Sequence, residues 1–398
     1  MSGYLGDLSL TQEKSLNEFI ELLSKETQAD ERTLLRFLRA RGFDVQAAYK
    51  QYLSTVEWRK KNGIDSILDK PRPLDKEFRE VMSCGFHKQD KEGRPCYIEY
   101  TGRTDVSALV KLPVDQVIRR HIWNCEYQIA RMAELSQNSD TVVETMVHIH
   151  DMTGASIVLR KALNIFKRLA KLDQDHYPER MGKIFIVNTP WVFPVLWKIA
   201  RVFLDPKTRS KCVVLKSSEN PKLLNYFYAA DLPEEFGGCC RCEDGCLPPI
   251  PKHMRNIAEA PTLREQSIGP KKSFEKSEEC KNDGDSIAWY FKTSSKEIKF
   301  GIKFKPRPHS GWKDRMNDIP EVWVEDLNFV TDFEGPTTGF YSPPCPGMCT
   351  LVWDNNDSKW LSKTIKYHVM VTEAEVDSDD EKSQSNGTLH KRTGGAKD

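Results

Sequence analysis

The sequence predicts a multidomain chain: a small all-α N-terminal domain, an α/β domain with a mainly parallel sheet, and a C-terminal antiparallel β-sandwich. Three observations predict it. Apolar residues recur at helical spacing up to Asn62-Gly63. From about residue 80, short apolar runs alternate with longer amphipathic ones, the pattern of strand–helix–strand units. From Ile287 to Val371 the helical period vanishes, and strand-like runs are separated by clusters of Pro, Gly, Asn and Asp. The expected boundaries are 1–62 for the helical domain, 63–245 for the α/β domain, 246–280 for a linker, 281–373 for the sandwich and 374–398 for a disordered tail. At roughly 150 residues per domain, a chain of 398 residues suits this division.

Each element has a local reason. Leu16, Phe19, Ile20, Leu22 and Leu23 mark a first helix. Asp30 caps a second that Gly42 stops, and Asp44 caps a third. In the next domain Pro95–Tyr100, Val142–His150, Lys183–Asn188 and Lys211–Leu215 are strand-like. Pro113–Ala133, Val158–Leu172 and Pro194–Leu204 are helical. Pro248, Pro249, Pro251, Pro261 and Pro270 fall among charges, hence the expected linker. In the sandwich Ile298, Phe300, Ile302 and Phe304 alternate with Lys299, Gly301 and Lys303, so one strand face is buried and the other wet. The tail is acidic, then rich in Ser, Gly and Lys.

Composition excludes several function classes. Lys+Arg is 59 and Asp+Glu 58, a net charge of +1, so the global basic bias of a nucleic-acid binder is absent. No run reaches the ~18 apolar residues of a membrane span. The N-terminus has neither a basic nor an apolar leader segment, so no signal peptide and a cytosolic protein are expected. The sequence carries no Walker A motif, no G-x-S-x-G, no H-E-x-x-H, and no G-x-G-x-x-G after a strand. No enzyme and no cofactor are expected. Asp175-His176 reads as a structural polar pair. His148 and His150 share one strand face; they line a cavity or bind a metal, polar wall residues being the plainer reading.

Eleven cysteines without a leader argue against a disulfide framework, and most are expected as buried small apolar residues. Cys239, Cys240, Cys242 and Cys246 crowd together. Zinc sites usually take paired ligands from two knuckles. Four thiols on one short stretch therefore read as an exposed, redox-sensitive segment and not a metal site, with a thiolate site helped by His253 as the weaker candidate.

The stretch Thr189–Leu204 contains a helix that is apolar nearly all round, with Trp191, Phe193 and Trp197 crowding its start and Lys198 and Arg201 one turn apart. It is either a core helix or a surface helix that dips into a bilayer; amphipathicity does not separate the two.

Here the motifs match a known family. Leu34-Leu-Arg-Phe-Leu-Arg-Ala-Arg-Gly-Phe-Asp44 resembles the N-terminal signature of CRAL-TRIO lipid-binding proteins. His176-Tyr-Pro-Glu-Arg180, Phe185-Ile-Val-Asn-Thr-Pro190, Phe203-Leu-Asp-Pro206 and Leu232-Pro-Glu-Glu-Phe-Gly-Gly238 follow in the order and spacing of that family's lipid domain. The C-terminal Gly347-Met-Cys-Thr-Leu-Val-Trp-Asp-Asn-Asn356 and Lys363-Thr-Ile-Lys-Tyr-His-Val-Met-Val371 resemble the closing hairpin of a GOLD domain, with Asn355-Asn356 serving the turn. The combination is similar to the tocopherol-associated, or supernatant protein factor, group.

The resemblance implies an apolar cavity under a mobile gate helix, and cytosolic, non-catalytic binding and transfer of a hydrophobic lipid between membranes. The bound lipid is a ligand, not a cofactor. The gate and membrane face would be Trp191, Phe193, Trp197, Lys198 and Arg201. Cavity walls would include Tyr97, Tyr100, Trp123, Tyr127, His148, Ile186, Val187 and Phe203, each with a plain core role as the competing reading. Headgroup candidates are Arg41 and Arg201. Phosphatidylinositol-binding relatives carry a Lys after the signature Arg, where this chain has Gly42; Arg168 stands where they have an acidic residue. These departures favour a tocopherol, squalene or a retinoid over a phosphoinositide, within a class that includes phospholipids. The implied partners are membrane surfaces, met transiently, the lipid, and a protein reached through the GOLD-like domain; no nucleic acid is implied. The alternative output is a lipid-sensing regulator or adaptor whose GOLD-like domain binds Golgi or vesicle proteins.

Overall fold

The computed structural model describes residues 2–24, 27–138, 142–190, 192–254, 263–294, 297–307, 320–331 and 336–372. The chain divides into two compact units, Met1–Pro261 and Thr262–Asp398.

The first unit opens with three helices. α1 (Leu10–Leu22) starts from a capping box: the Ser9 hydroxyl accepts from the Gln12 N–H, and the Gln12 side chain accepts from the Ser9 N–H. Asp30 and Asp44 cap α2 (Glu31–Ala40) and α3 (Val45–Asn62), as their spacing predicts. Gly63 ends α3 in the left-handed region, φ 55°. Phe19, Leu34, Leu35, Leu38 and Ala48 form the core between the three.

α4 (Asp75–Val81) leads into a five-stranded sheet. Its strands are β1 (Cys84–Gln89), β2 (Pro95–Glu99), β3 (Met146–Asp151), β4 (Met181–Val187) and β5 (Cys212–Val214). The order is β1-β2-β3-β4-β5, with β1 antiparallel to β2 and the rest parallel. The crossovers carry α5 (Val106–Leu109), α6 (Val114–Gln137), α7 (Leu163–His176), α8 (Phe193–Ala200) and α9 (Pro206–Ser210). Right-handed crossovers between strands taken in sequential order all fall on the same side of the sheet. The opposite face must therefore be covered by the chain after β5. There Leu223, Phe227, Leu232 and Phe236 pack on Cys96, Ile98, Val147, Ile149, Phe185 and Val187. Gly238 permits this return: a Cβ there would stand 1.9 Å from the Leu232 carbonyl oxygen.

The segment 176–180 clamps the helical layer to the sheet domain. His176 stacks on Trp58 of α3 at 4.1 Å. The Tyr177 hydroxyl donates to buried Glu126 at 2.7 Å, which also pairs with Arg59 at 2.7 Å. Glu179 meets Lys211 at 3.2 Å, and Arg180 donates to the Glu144 carbonyl at 3.3 Å. Glu144 in turn holds Arg32 and Arg39 of α2.

The second unit is a two-sheet antiparallel sandwich. One sheet has the order β10-β9-β12-β7 and the other β11-β8-β13-β6. The strands are β6 (Arg264–Ile268), β7 (Ser273–Cys280), β8 (Ser286–Thr293), β9 (Ile298–Pro306), β10 (Val322–Val330), β11 (Thr337–Tyr341), β12 (Gly347–Asp354) and β13 (Lys363–Thr372). Ile298, Phe300, Ile302 and Phe304 all enter the core, as their alternation predicts, around a fully buried Trp353.

Three sequence expectations are corrected here. The segment 246–280 is not all linker, because β6 and β7 lie within it. Each is the edge strand of its sheet and sends few apolar residues inward (Ile268, Phe274, Cys280), so charge masks the strand pattern. The stretch 347–371 is not a hairpin: β12 and β13 pair in different sheets. Buried Asn355 pins this crossover, donating to the carbonyls of Ile268, Gly269 and Leu361. Finally, only five of the eleven cysteines are buried: Cys84, Cys96, Cys240, Cys280 and Cys349. The expected tail 374–398 lies outside the described residues.

Candidate functional site

The site is set by strand parity. Side chains two apart on a strand share a face, and neighbours do not. Tyr97, Glu99, His148, His150, Ile184 and Ile186 therefore point to the helix side, where Tyr97 packs in a cluster with Val117 and Ile165 and Ile186 packs against Phe193. Tyr100 and Val187 belong to the other face, in the core with Phe227 and Phe236. The Tyr100 hydroxyl donates to the Glu235 carboxylate there. These two expected cavity residues are thus separated from the rest, since 97 and 100, or 186 and 187, differ by an odd number.

On the helix side an aromatic row runs in from the sheet edge. Trp123 stacks on Tyr127 at 5.2 Å, Tyr127 meets Phe86 at 5.2 Å, and Phe86 meets Tyr97 at 5.0 Å. Tyr97 then meets His148 at 5.2 Å, and His148 meets His150 at 5.8 Å. The outer end borders a groove of ≈ 880 Å³ walled by Phe86, Trp123, Tyr127, Arg120 and Pro248–His253. Phe86 belongs to an edge strand that the sequence reading did not identify.

The inner end of the row is polar. Thr101 Oγ1 donates to Glu99 at 2.8 Å and lies 3.0 Å from His150 Nδ1, while Glu99 and His150 are 3.6 Å apart. His148 Nε2 lies 3.3 Å from Gln128 Oε1 on α6. Burial, then the neighbouring His150, pushes the His148 imidazole down to about 3, so it is neutral at physiological pH. Burial alone would raise Glu99, but hydrogen bonding and charge from His150, with Thr101, outweigh it and hold the carboxyl below its usual value. Glu99 and His150 keep 20% and 27% of their side-chain surface accessible, so this end of the row is not closed over by packed side chains. Glu99, Thr101 and Gln128 were missed in the sequence; only the period-2 relation of Glu99 to Tyr97 signals one of them.

α8 covers the β4–β5 side of this face. Pro194 occupies its first turn, and a 3₁₀ turn, Arg201–Phe203, extends it. Phe193 and Trp197 pack on Ile184, Ile186, Leu159 and Cys212. Lys198, Arg201 and Val202 are exposed. Phe203 closes the far end against Phe166 at 6.5 Å. Trp191 lies outside the described residues. The chain entering α8 is anchored at Asn188 (φ 53°), which donates to buried Asp151 at 2.8 Å and accepts from Asn220 at 2.8 Å.

The two headgroup candidates differ from the cavity residues. Arg41 is exposed and donates to Gln51 at 2.8 Å, and Arg201 is on the outer side of α8. Arg168 pairs with Asp115 at 2.9 Å. A second cluster, His121, Cys125 and Asp173, stands between α6 and α7. His121 Nε2 is 2.7 Å from Asp173 and 3.5 Å from Cys125 Sγ. One nitrogen faces both partners, so the histidine cannot relay a proton from thiol to carboxylate through its two nitrogens. Of the cysteine stretch, Cys240, Cys242 and Cys246 converge while Cys239 is exposed apart from them, and His253 donates instead to the Glu80 carbonyl.

Two family models match the first unit: the CRAL/TRIO N-terminal domain over residues 7–54 and the CRAL/TRIO domain over residues 79–238. The SEC14 cytosolic factor of Eremothecium gossypii is 36% identical over 248 residues, 60% of this chain and 80% of that protein. The Sec14 cytosolic factor of Schizosaccharomyces pombe is 30% identical over 256 residues, 61% of this chain and 88% of that protein. The phosphatidylinositol/phosphatidylcholine transfer protein SFH7 of Arabidopsis thaliana is 36% identical over 226 residues, 54% of this chain and 40% of that protein. On these matches the chain belongs to the CRAL/TRIO family.

Proposed function

We propose that the protein binds a hydrophobic lipid in the void on the helix side of the sheet and transfers it between membranes, with α8 as the gate and without catalysis. The observation that carries this reading is the two-sidedness of α8. Its inner residues Phe193 and Trp197 close on the sheet, while Lys198, Arg201 and Val202 face outward. Such a helix can exchange its apolar cover of the cavity for a bilayer interface, with cations at the headgroups. Relatives named as cytosolic factors and as a phosphatidylinositol/phosphatidylcholine transfer protein support it. No helix among the described residues is long and apolar enough to cross a membrane, which accords with transient contact.

Retention follows from burying the tail, about 0.8 kcal/mol per CH₂. The polar inner end offers a neutral His148, Gln128, and Glu99 and His150 3.6 Å apart. That set suits a hydroxyl or ester deep in the cavity, as in a tocopherol, a retinoid or the glycerol region of a phospholipid. The test is native mass spectrometry of the purified chain with extraction of the bound species, followed by transfer of labelled lipid between vesicles. A lipid retained near one-to-one and moved by the chain alone is the expected result. An empty chain that takes nothing from vesicles overturns the proposal.

A second reading, of a lipid-sensing adaptor, has one observation in its favour. The crossover between β12 and β13 exposes Trp360 (88%) and Leu361 (73%) on the unit that resembles a GOLD domain. An adaptor would bind lipid yet fail to move it, and substituting Trp360 would abolish capture of a protein partner without changing lipid binding.

A further inference from the structure

β1 is irregular at one point. Phe86 pairs with Tyr97 and Gln89 with Pro95, so His87 and Lys88 bulge out of the ladder, and Lys88 takes a left-handed φ of 45°. Strand alternation places His87 on the face opposite Phe86, the side of the loop after Gly238, where Gly85 lies against Leu247 and Pro248. The residue is 95% buried by area, and its Nε2 has no hydrogen-bond partner among the described residues. The Cys246 backbone lies beside the ring. The imidazole thus carries a buried nitrogen that nothing among the described residues satisfies.

Three thiols stand beside it. His87, Cys240, Cys242 and Cys246 each bring one ligand atom to a cluster in which all such atoms lie within 4.8 Å of one another. Cys240 and Cys242 Sγ are 3.6 Å apart. Two thiolates at about 2.3 Å from a tetrahedral zinc stand about 3.8 Å apart. The set is three soft ligands plus one imidazole, four donors in a closed arrangement, which suits a structural zinc and leaves no open position.

We propose that His87, Cys240, Cys242 and Cys246 form a structural Zn²⁺ site that staples the loop after Gly238 to the edge strand β1. Binding displaces three thiol protons and leaves a net charge of −1 on the cluster. Lys88, whose ammonium lies beside Cys240 and 3.4 Å from Asp231, stands next to that charge. The stapled loop continues into Pro248–His253, which walls the groove at the outer end of the aromatic row. It is fastened again where Ser83 Oγ donates to the Pro248 carbonyl at 2.7 Å. The site therefore fixes one wall of that groove and covers an open sheet edge.

The test uses the full chain purified under reducing conditions. Elemental analysis is expected to find one zinc per chain. Cobalt titration of the stripped protein is expected to give tetrahedral d–d absorption and charge-transfer intensity for three thiolates. His87→Ala and Cys242→Ser should each weaken metal affinity by about 100-fold or more, beyond the 10–100-fold that loss of an outer partner costs. Cys239→Ser and His253→Ala should leave it unchanged. The wild-type titration needs no substitution, so it decides even where a variant fails to fold. Absence of one-to-one metal binding by the reduced chain overturns the proposal. So does a disulfide recovered within Cys240–Cys246 under those conditions, or a cobalt spectrum unaltered in His87→Ala.

Discussion

The two faces of the α/β sheet are built from the same strands and could hardly differ more. On one, Ile98, Val147, Ile149, Phe185 and Val187 are wholly apolar and none is exposed. On the other, Tyr97 and Ile186 alternate with Glu99, His148 and His150, and the polar groups keep accessible surface. A face that need only be buried becomes uniform, because any polar group there would cost free energy without a partner. A face that borders a void keeps polar groups, satisfies them among themselves, and can offer them to a ligand. The less perfect face is the one to examine for function.

Neighbours Phe185 and Ile186 give the sharpest test. Phe185→Ala empties a filled core and is expected to cost about 3–5 kcal/mol by urea unfolding. Ile186→Ala borders existing space and is expected to cost about 2 kcal/mol, the low end for such a truncation, while speeding loss of bound lipid. Equal costs at the two positions would remove the distinction between the faces.

His148 sharpens the comparison through pH. Its folded value, about 3, lies below the ordinary 6.5. Below pH 6.5 the unfolded chain takes up a proton that the folded chain refuses until about pH 3. The stabilisation is therefore complete above pH 6.5 and is lost as pH falls through that window, at up to about 1.4 kcal/mol per unit. His148→Gln should flatten that part of the stability profile; an unchanged acid limb would place His148 in contact with bulk water.

The smallest effect on stability is expected at the outer side of α8. Arg201→Glu should change unfolding free energy by less than about 0.5 kcal/mol. It should nonetheless slow transfer from anionic vesicles more than from neutral ones. Equal slowing on both would mean that the residue acts through the ligand and not through the membrane.

Much of this architecture is legible in the sequence. The caps Asp30 and Asp44, the strands around His148 and Phe185, and the alternation of Ile298–Phe304 were all readable, because they rest on geometry repeated over a few residues. The placing of Tyr100 and Val187 was also within reach, by applying parity to strands already identified. Edge strands β1, β6 and β7 were not, since one or both of their faces are polar and carry little periodic signal.

The sequence by itself determined the identity of most helices and strands, the mainly parallel order of the sheet and the motifs of the CRAL/TRIO family. Local backbone geometry and hydrophobic period suffice for these. Only the tertiary structure decided that β12 and β13 part into different sheets, and that His87 meets Cys240, far away in the chain. It also decided that Phe86 joins Trp123 and Tyr127 to the buried Glu99 and His150. Such contacts depend on which distant segments close on one another, and that is settled by the packing of whole layers, which no short window of sequence contains.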